Sequence, residues 1–269
     1  GHTVLEERGG WGMAHLLGSG DVRPGAIIIG EATGGDVCIG HRGRAELVVE
    51  IRGVAGHASA PERASNPLEG LPALIPALKA FAAQLPSDPV LGRSTLAPTN
   101  VVTLPQSNNV IPDRVRVTLD WRVLPGLTAD EAVDSLHTYL ASRVRLPDGC
   151  DLAVRFATER QHTYTGQEQD RRMFTPGFLI DDDHPIVHAA AHAIERATGR
   201  TPAIRPWTFA TDGGSACGVH GIPTIGFAPG EERYAHTDRE RLELSSARVA
   251  YEAYPSLIRA VQGALKEPA

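Results

Sequence analysis

The sequence predicts an α/β protein in which a parallel-sheet domain is interrupted by a separate α+β unit. Two observations carry this. Near both ends of the chain, the continuous apolar runs PGAIIIGEA and PTIGFAPG alternate with helical patterns, as buried parallel strands and their covering helices do. Between residues 43 and 158 the pattern changes to half-buried strands and amphipathic helices in the order β-α-β-β-α-β.

Taken in order, TVLE reads as a short strand that delivers Glu6 and Glu7 to a turn at Gly9 and Gly10. GGWGMAHLLGSG is a short helix, and AIIIG is the first buried strand. RAELVVEIRG then alternates as a strand, followed by a long helix, NPLEGLPALIPALKAFAAQL, opening at Asn66-Pro67. Two strands follow in TNVVTLPQ and DRVRVTLDWRVLP, the second placing Val115, Val117, Leu119 and Trp121 on one face. Thr128 and the acids behind it open the helix TADEAVDSLHTYLASRV, because a hydroxyl and a carboxylate satisfy the free N–H groups of a first turn. CDLAVRFAT closes a ferredoxin-like βαββαβ set. After Thr158 comes a polar passage with no regular pattern through GQEQDRRMFTPG. The helix HPIVHAAAHAIERATG stops at Gly199, PTIGFAPG is a second buried strand, and LSSARVAYEAYPSLIRAVQGAL is a terminal helix. Residues 1–42 and 159–269 are thus assigned to one α/β domain and 43–158 to the insertion.

Composition narrows the function. The chain is 42% apolar and 22% charged with a formal charge of −6, and no basic stripe of the kind phosphate binding needs is present, which argues against nucleic acid as partner. No apolar run reaches the roughly 20 residues that span a bilayer, which argues against a membrane partner. Cys38, Cys150 and Cys217 are odd in number and scattered, so a disulfide framework or thiolate zinc site is not expected, and a reducing, cytoplasmic setting fits. Gly1-His2 reads as an expression remnant.

Glu7 after TVLE, Glu31 after AIIIG and His236 after PTIGFAPG sit just beyond strand ends, where open α/β sheets keep their sites. Oxygen and nitrogen ligands from separate strands suit Zn²⁺ or a similar divalent ion. Glu6, adjacent to a ligand but directed elsewhere, suits a general base. By spacing alone, exposed loop acids and an incidental histidine are the better reading of these residues.

TVLEERGGWG, IIIGEATGG, GHRGRAELVVEIRGVAGHASAPERASNP, SNNVIPDRVRVTLDWR and GIPTIGFAPGEERYAHTDRE together resemble the M20 metallopeptidase family of deacetylases, desuccinylases, aminoacylases and carboxypeptidase G-type enzymes. The resemblance runs in family order over nearly the whole chain. It implies a catalytic domain and a lid, or dimerisation, domain corresponding to the inserted unit. It further implies two divalent metal ions, zinc or cobalt, with Glu6 as general base, Glu7 and His236 on one ion and Glu31 on the other. His57 in GHASAP would reach across a homodimer and stabilise the oxyanion in the partner's site. Asn109 in NNVIP and Arg122 in DWR would hold polar groups of the substrate. Arg42 in HRG, with Thr211 and Gly213 in ATDGG, would bind a substrate carboxylate. The substrate class is a small N-acylated amino acid or a peptide, hydrolysed at its amide bond. HRGR, SAPER, WTFATDG and GIPTIGFAPG lie nearer the deacetylase and desuccinylase branch than the dipeptidases.

The family's HxD motif and its metal-bridging aspartate, both upstream of the glutamate pair, have no counterpart here. The expectation is therefore an incomplete catalytic domain and an inactive fragment, with a non-catalytic dimerisation module or a dipeptidase or aminopeptidase of the same family as alternatives. His184, His188 and His192 share one helical face without a supporting acid, and read as a solvated face. The Asp181–Asp183 run reads as the charged lead-in to that helix, and Cys217 as core.

Overall fold

The computed structural model describes residues 3–266, so Gly1 and His2 lie outside the described residues. In chain order the first elements are α1 (Trp11–Gly18), β1 (Ile27–Ile29), β2 (Val37–Cys38), β3 (Gly43–Arg52) and β4 (Gly56–His57). Next come α2 (Leu71–Ala83), β5 (Thr95–Leu104), β6 (Val110–Ile111), β7 (Arg114–Val123), α3 (Ala129–Arg143) and β8 (Asp151–Phe156). A hairpin of β9 (Thr158–His162) and β10 (Glu168–Arg172) precedes α4 (Pro185–Thr198), β11 (Ile204–Arg205), β12 (Thr224–Gly226) and α5 (Leu244–Ala264). Two compact units result: Gly1–Gly43, Pro89–Leu91 and Thr175–Ala269 in one, Arg44–Asp88 and Gly92–Phe174 in the other.

The second unit is a sheet in the order β8-β3-β7-β5 with α2 and α3 buried against it. In α2 the buried residues Leu74, Leu78 and Phe81 recur at helical spacing, as do Ala132, Leu136 and Leu140 in α3. They meet the alternating inward residues of β7, among them Val117, Leu119 and Trp121. Thr128 and Glu131 form a reciprocal capping box at the start of α3. The unit ends at Phe174 and not near Thr158. Its tail is the β9–β10 hairpin, turned at Gly166 with φ 83°. Apart from Gln161 and the half-buried Glu159 and Arg171, its side chains are exposed. It therefore lacks the apolar alternation by which a strand is read from sequence.

In the first unit the sheet order is β1-β12-β2-β11. β1 runs parallel to β12 and β11 parallel to β2, whereas β12 and β2 are antiparallel. The sheet is thus mixed where a parallel one was expected. Only residues 30–36, turning at Gly34 and Gly35 (φ 63° and 79°), join β1 to β2, and a parallel return needs a crossover of about a dozen residues. The helices α4 and α5 pack together, and their apolar faces (Ile186 and Ile194; Leu257 and Val261) meet Val37, Ile225 and Phe227 of the sheet region. Gly199 at φ 72° ends α4.

TVLE is not a strand. Leu5 is left-handed (φ 54°) and Glu6–Arg8 is a 3-10 turn. The carbonyls that a ladder would use are taken by the following chain: Gly12 N–H donates to Val4 O (3.0 Å) and Gly10 N–H to Leu5 O (3.2 Å). Among the described residues no helix is long and apolar enough to cross a membrane.

Candidate active site

Three segments of the first unit bring acids and an imidazole together. The first is the Glu6–Arg8 turn. Its approach to the protein depends on Gly10, whose backbone is left-handed (φ 63°) and whose missing Cβ would lie 3.2 Å from Asp212 Oδ1. The second is the loop after β1 that carries Glu31. The third follows β12 and carries His236, itself left-handed at φ 59°, with its N–H donating to Glu240 Oε2 (3.2 Å).

The Glu31 and His236 loops are stitched at their bases. Thr33 is fully buried; its hydroxyl donates to Ala228 O (2.9 Å) and accepts from Ala228 N–H (3.0 Å). Gly34 N–H donates to Gly230 O (2.6 Å) and Gly35 N–H to Ala228 O (3.0 Å). Beyond that base, His236 Nε2 lies 3.6 Å from Glu7 Oε1. Glu31 interacts electrostatically with both Glu7 and His236.

The electrostatics are those of crowded, partly buried acids. Burial, then the charges of Asp212, Glu31 and Glu7, push the Glu6 carboxyl up to about 7. Glu31 is raised by burial and then by Asp212 and Glu7, with His236 opposing. Asp212 is raised by burial, opposed by its hydrogen bond from the Thr3 hydroxyl.

Asp212 is the residue that motif reading passed over, although it lies between Thr211 and Gly213. It is 5% exposed, its Oδ2 accepts from Thr3, its backbone N–H donates to the Glu6 carboxylate, and among the described residues its Oδ1 has no hydrogen-bond partner. A buried carboxylate oxygen without a partner is costly unless something positive meets it. The available signal was an acid in a glycine-flanked turn, ATDGG, where the backbone can approach closely.

Thr211 and Gly213 hold the turn that carries Asp212 through their own contacts. Thr211 is fully buried, and its N–H donates to His41 Nε2 (3.0 Å). That bond makes Nε2 the acceptor, so Nδ1 carries the proton and donates to Arg42 O (3.0 Å). The Thr211 hydroxyl lies 3.1 Å from His41 Nε2 and accepts from Gly213 N–H (3.1 Å). A Cβ on Gly213 would stand 2.4 Å from the Phe178 ring, so only glycine fits. Burial pushes the His41 imidazole down to about 4, which keeps it neutral. Arg42 is half-buried beside it.

His57, Asn109 and Arg122 belong to the second unit. β4 pairs with β6 (His57 opposite Val110), and Ala58 N–H donates to Asn109 O (3.0 Å), so His57 and Asn109 are neighbours there. His57 Nδ1 lies 2.7 Å from Ser59 Oγ, and Asn109 Oδ1 accepts from Ser107 (2.7 Å). Arg122 stands at the far end of β7, its Nε donating to Asp120 Oδ1 (2.7 Å).

The donor set of Glu7, Glu31 and His236, with the unpartnered Asp212 oxygen beside it, fits a divalent cation: hard oxygens, one imidazole and surplus negative charge. The three do not close into one cage. Among the described residues the one group of acids or imidazoles whose ligand atoms all lie within 4.8 Å of one another is Asp181, Asp182 and Asp183. That run is exposed and caps locally, Asp183 N–H donating to Asp181 Oδ1 (2.9 Å) and His188 Nε2 lying 3.4 Å from Asp183. His184 caps α4, its Nδ1 accepting from Ile186 N–H (3.2 Å), and His192 is exposed, so the three histidines form no ligand face.

The M20 peptidase dimerisation domain matches residues 39–145. An uncharacterized protein, YgeY of Escherichia coli K12, is 30% identical over 257 residues, covering 94% of this chain and 62% of its own length. A succinyl-diaminopimelate desuccinylase of Sulfurovum is 25% identical over 251 residues, 89% of this chain and 60% of that protein. The M20 metallo-carboxypeptidase Sso-CP2 of Sulfolobus solfataricus superposes with a TM-score of 0.68 at 13% identity, over 96% of this chain and 68% of that one.

Residues 39–145 thus carry the peptidase dimerisation domain of the M20 family, and the chain as a whole has the fold of M20 enzymes. Aminopeptidase PepT of Bacillus cereus, with a TM-score of 0.64 at 22% identity, shares the M20 fold over 97% of this chain and 63% of its own. The chain spans about three-fifths of the length of these two curated relatives (62% and 60%).

Proposed function

We propose that this chain is the greater part of an M20-type metal-dependent amidohydrolase, acting on the amide bond of an N-acylated amino acid or a peptide. The observation that carries the reading is the pairing of Glu7 with His236 next to Glu31, with Glu6 held at about 7 beside them. Glu7, Glu31 and His236 would hold zinc or cobalt, with the remaining ligands supplied from outside this chain. Such ions polarise the scissile carbonyl and lower the pKa of water.

Glu6 does the proton work. A carboxylate whose pKa lies near neutrality can accept a proton from the attacking water and return it to the leaving amine. The Asp212 N–H fixes its orientation. Arg42 would orient a substrate carboxylate, and on the other unit Arg122 and Asn109 would bind substrate polar groups. His57 would donate to the developing oxyanion in a partner's site, within a homodimer formed through the second unit. The matches to desuccinylases support an N-acyl substrate over a free peptide.

The test is hydrolysis of a panel of N-succinyl, N-acetyl and dipeptide substrates by this chain and by a protein carrying the upstream HxD motif and aspartate. Activity is expected in the longer protein. Glu6→Gln should lower kcat by at least about a hundredfold, the scale of general acid–base catalysis. Full activity in Glu6→Gln would remove Glu6 from the proton work, and a longer protein that neither binds metal nor hydrolyses any substrate of the panel would end the enzyme reading in favour of a dimerising module.

A further inference from the structure

Glu31 and His236 ride on loops far apart in sequence, and one side chain touches both loops. Arg205, at the end of β11, donates from Nη2 to the carbonyl of Thr33 (2.8 Å), two residues beyond Glu31. Its Nη1 donates to Glu232 Oε1 (2.5 Å), four residues before His236. Its Nε donates to Asp36 Oδ2 (3.0 Å), which closes the first loop. The neighbouring residues repeat the pattern. Trp207 Nε1 donates to Ala32 O (3.0 Å), next to Glu31. The N–H and hydroxyl of Thr208 donate to Glu232 Oε2 (3.0 and 2.7 Å), so both oxygens of that carboxylate are held.

The side chains of Glu232 and Asp36 are only 10% and 17% exposed, so solvent screens these pairs weakly. The planar, five-donor guanidinium serves these three acceptors from one fixed fork, where a lysine ammonium would offer three donors from a single point.

We propose that Arg205 is a positioning residue of the candidate metal centre, setting the separation of Glu31 and His236 by bracing their loops through Thr33, Asp36 and Glu232. This rests on the metal-centre reading above. Arg205 touches neither ligand side chain. It acts through the backbone that carries them, as outer groups around metal sites do.

The experiment uses the 269-residue chain with Arg205→Gln, Arg205→Lys, and two comparison variants. Arg200→Gln removes bonds to Asp36 and Gly34 O, both in the loop that carries Glu31. Ile194→Val trims a fully buried core residue of α4. Hydrogen exchange is followed by mass spectrometry on the metal-free proteins, and Co²⁺ binding by visible absorption. In Arg205→Gln, protection is expected to fall about tenfold in peptides covering 31–36 and 230–237 together, with α4 unchanged. Co²⁺ affinity should fall about tenfold or more, with a shifted d–d spectrum. Arg205→Lys should recover part of both, and Ile194→Val should leave both unmoved.

Unchanged exchange in the two loops overturns the proposal, and so does loosening of both loops with Co²⁺ affinity and spectrum intact. A loss equally large in Ile194→Val also overturns it, because the effect is then one of general stability. If the parent chain and Glu7→Gln bind Co²⁺ equally, the metal-centre reading fails, and with it the role given to Arg205. Exchange would then still report separately whether Arg205 braces the loops.

Discussion

Glu6 enters the folded state carrying a proton that the unfolded chain gives up. Burial, followed by the charges of Asp212, Glu31 and Glu7, moves its carboxyl from 4.5 to about 7. A raised acid contributes stability in full below its unfolded value, and that contribution is lost as pH climbs through the folded value. Glu31 and Asp212 are raised for the same first reason and act in the same direction. The thermal midpoint of the metal-free chain is therefore expected to increase on going from about pH 8 to about pH 5.5. Glu6→Gln should be more stable than the parent at the higher pH, with a flatter profile. Circular dichroism melts across that range check it, and a flat parent profile contradicts it. His41 poses the opposite case, a buried ring held neutral as acceptor for Thr211 N–H. His41→Leu leaves that donor unmet and should cost about 1–3 kcal/mol by urea denaturation. Motif reading singled out Glu7 and His236, whose side chains lie 3.6 Å apart. It passed over Asp212 and His41 because their importance lies in burial and in partners distant along the chain, which no local pattern records.

At the level of elements, legibility followed the chemistry that acts locally. The helix α3 could be read from Thr128, Glu131 and the spacing of Ala132, Leu136 and Leu140. Its capping box satisfies the first-turn donors from within the same four residues, so Thr128→Ala should cost about 1 kcal/mol. A urea transition reported by Trp121 fluorescence in the second unit measures that loss. The β9–β10 hairpin escaped because its strands, TERQH and EQDRR, carry charge on both faces. TVLE misled for another reason: its short apolar run is strand-like, but the carbonyls of Val4 and Leu5 serve the turn and helix behind them. The direction of β2 was also decided by geometry that composition hides, the short turn at Gly34 and Gly35 forcing it antiparallel to β12. Gly226 of β12 shows how such constraints reach the site, since a Cβ there would lie 2.0 Å from the Trp207 ring. Gly226→Ala must displace the indole whose Nε1 holds Ala32 beside Glu31. Exchange at 31–36 is expected to rise, and thermal stability to fall by about 1–3 kcal/mol, the cost of overpacking.

Across the whole molecule, two apolar cores are assembled from alternating stretches of one chain. One gathers Val37, Ile194, Ile225 and Leu257, the other Leu47, Leu78, Leu119 and Leu140. That division was foreshadowed in the sequence by the switch from continuous apolar strands to half-buried ones at residue 43, because the two sheet types bury different numbers of faces. A unit with its own core responds to cavity formation as a unit. Leu140 is fully buried between α3 and the second sheet, and Leu140→Ala removes atoms that only this core can replace. The expected cost is about 2–5 kcal/mol, confined to the second unit. Hydrogen exchange in mild urea separates the outcomes. Peptides from β3, β7 and α2 should lose protection together, while those from α4, β12 and α5 keep theirs. Loss of protection in all of them to the same degree would mean that the chain unfolds as one cooperative body. Loosening of α3 alone would mean that the second core is not cooperative.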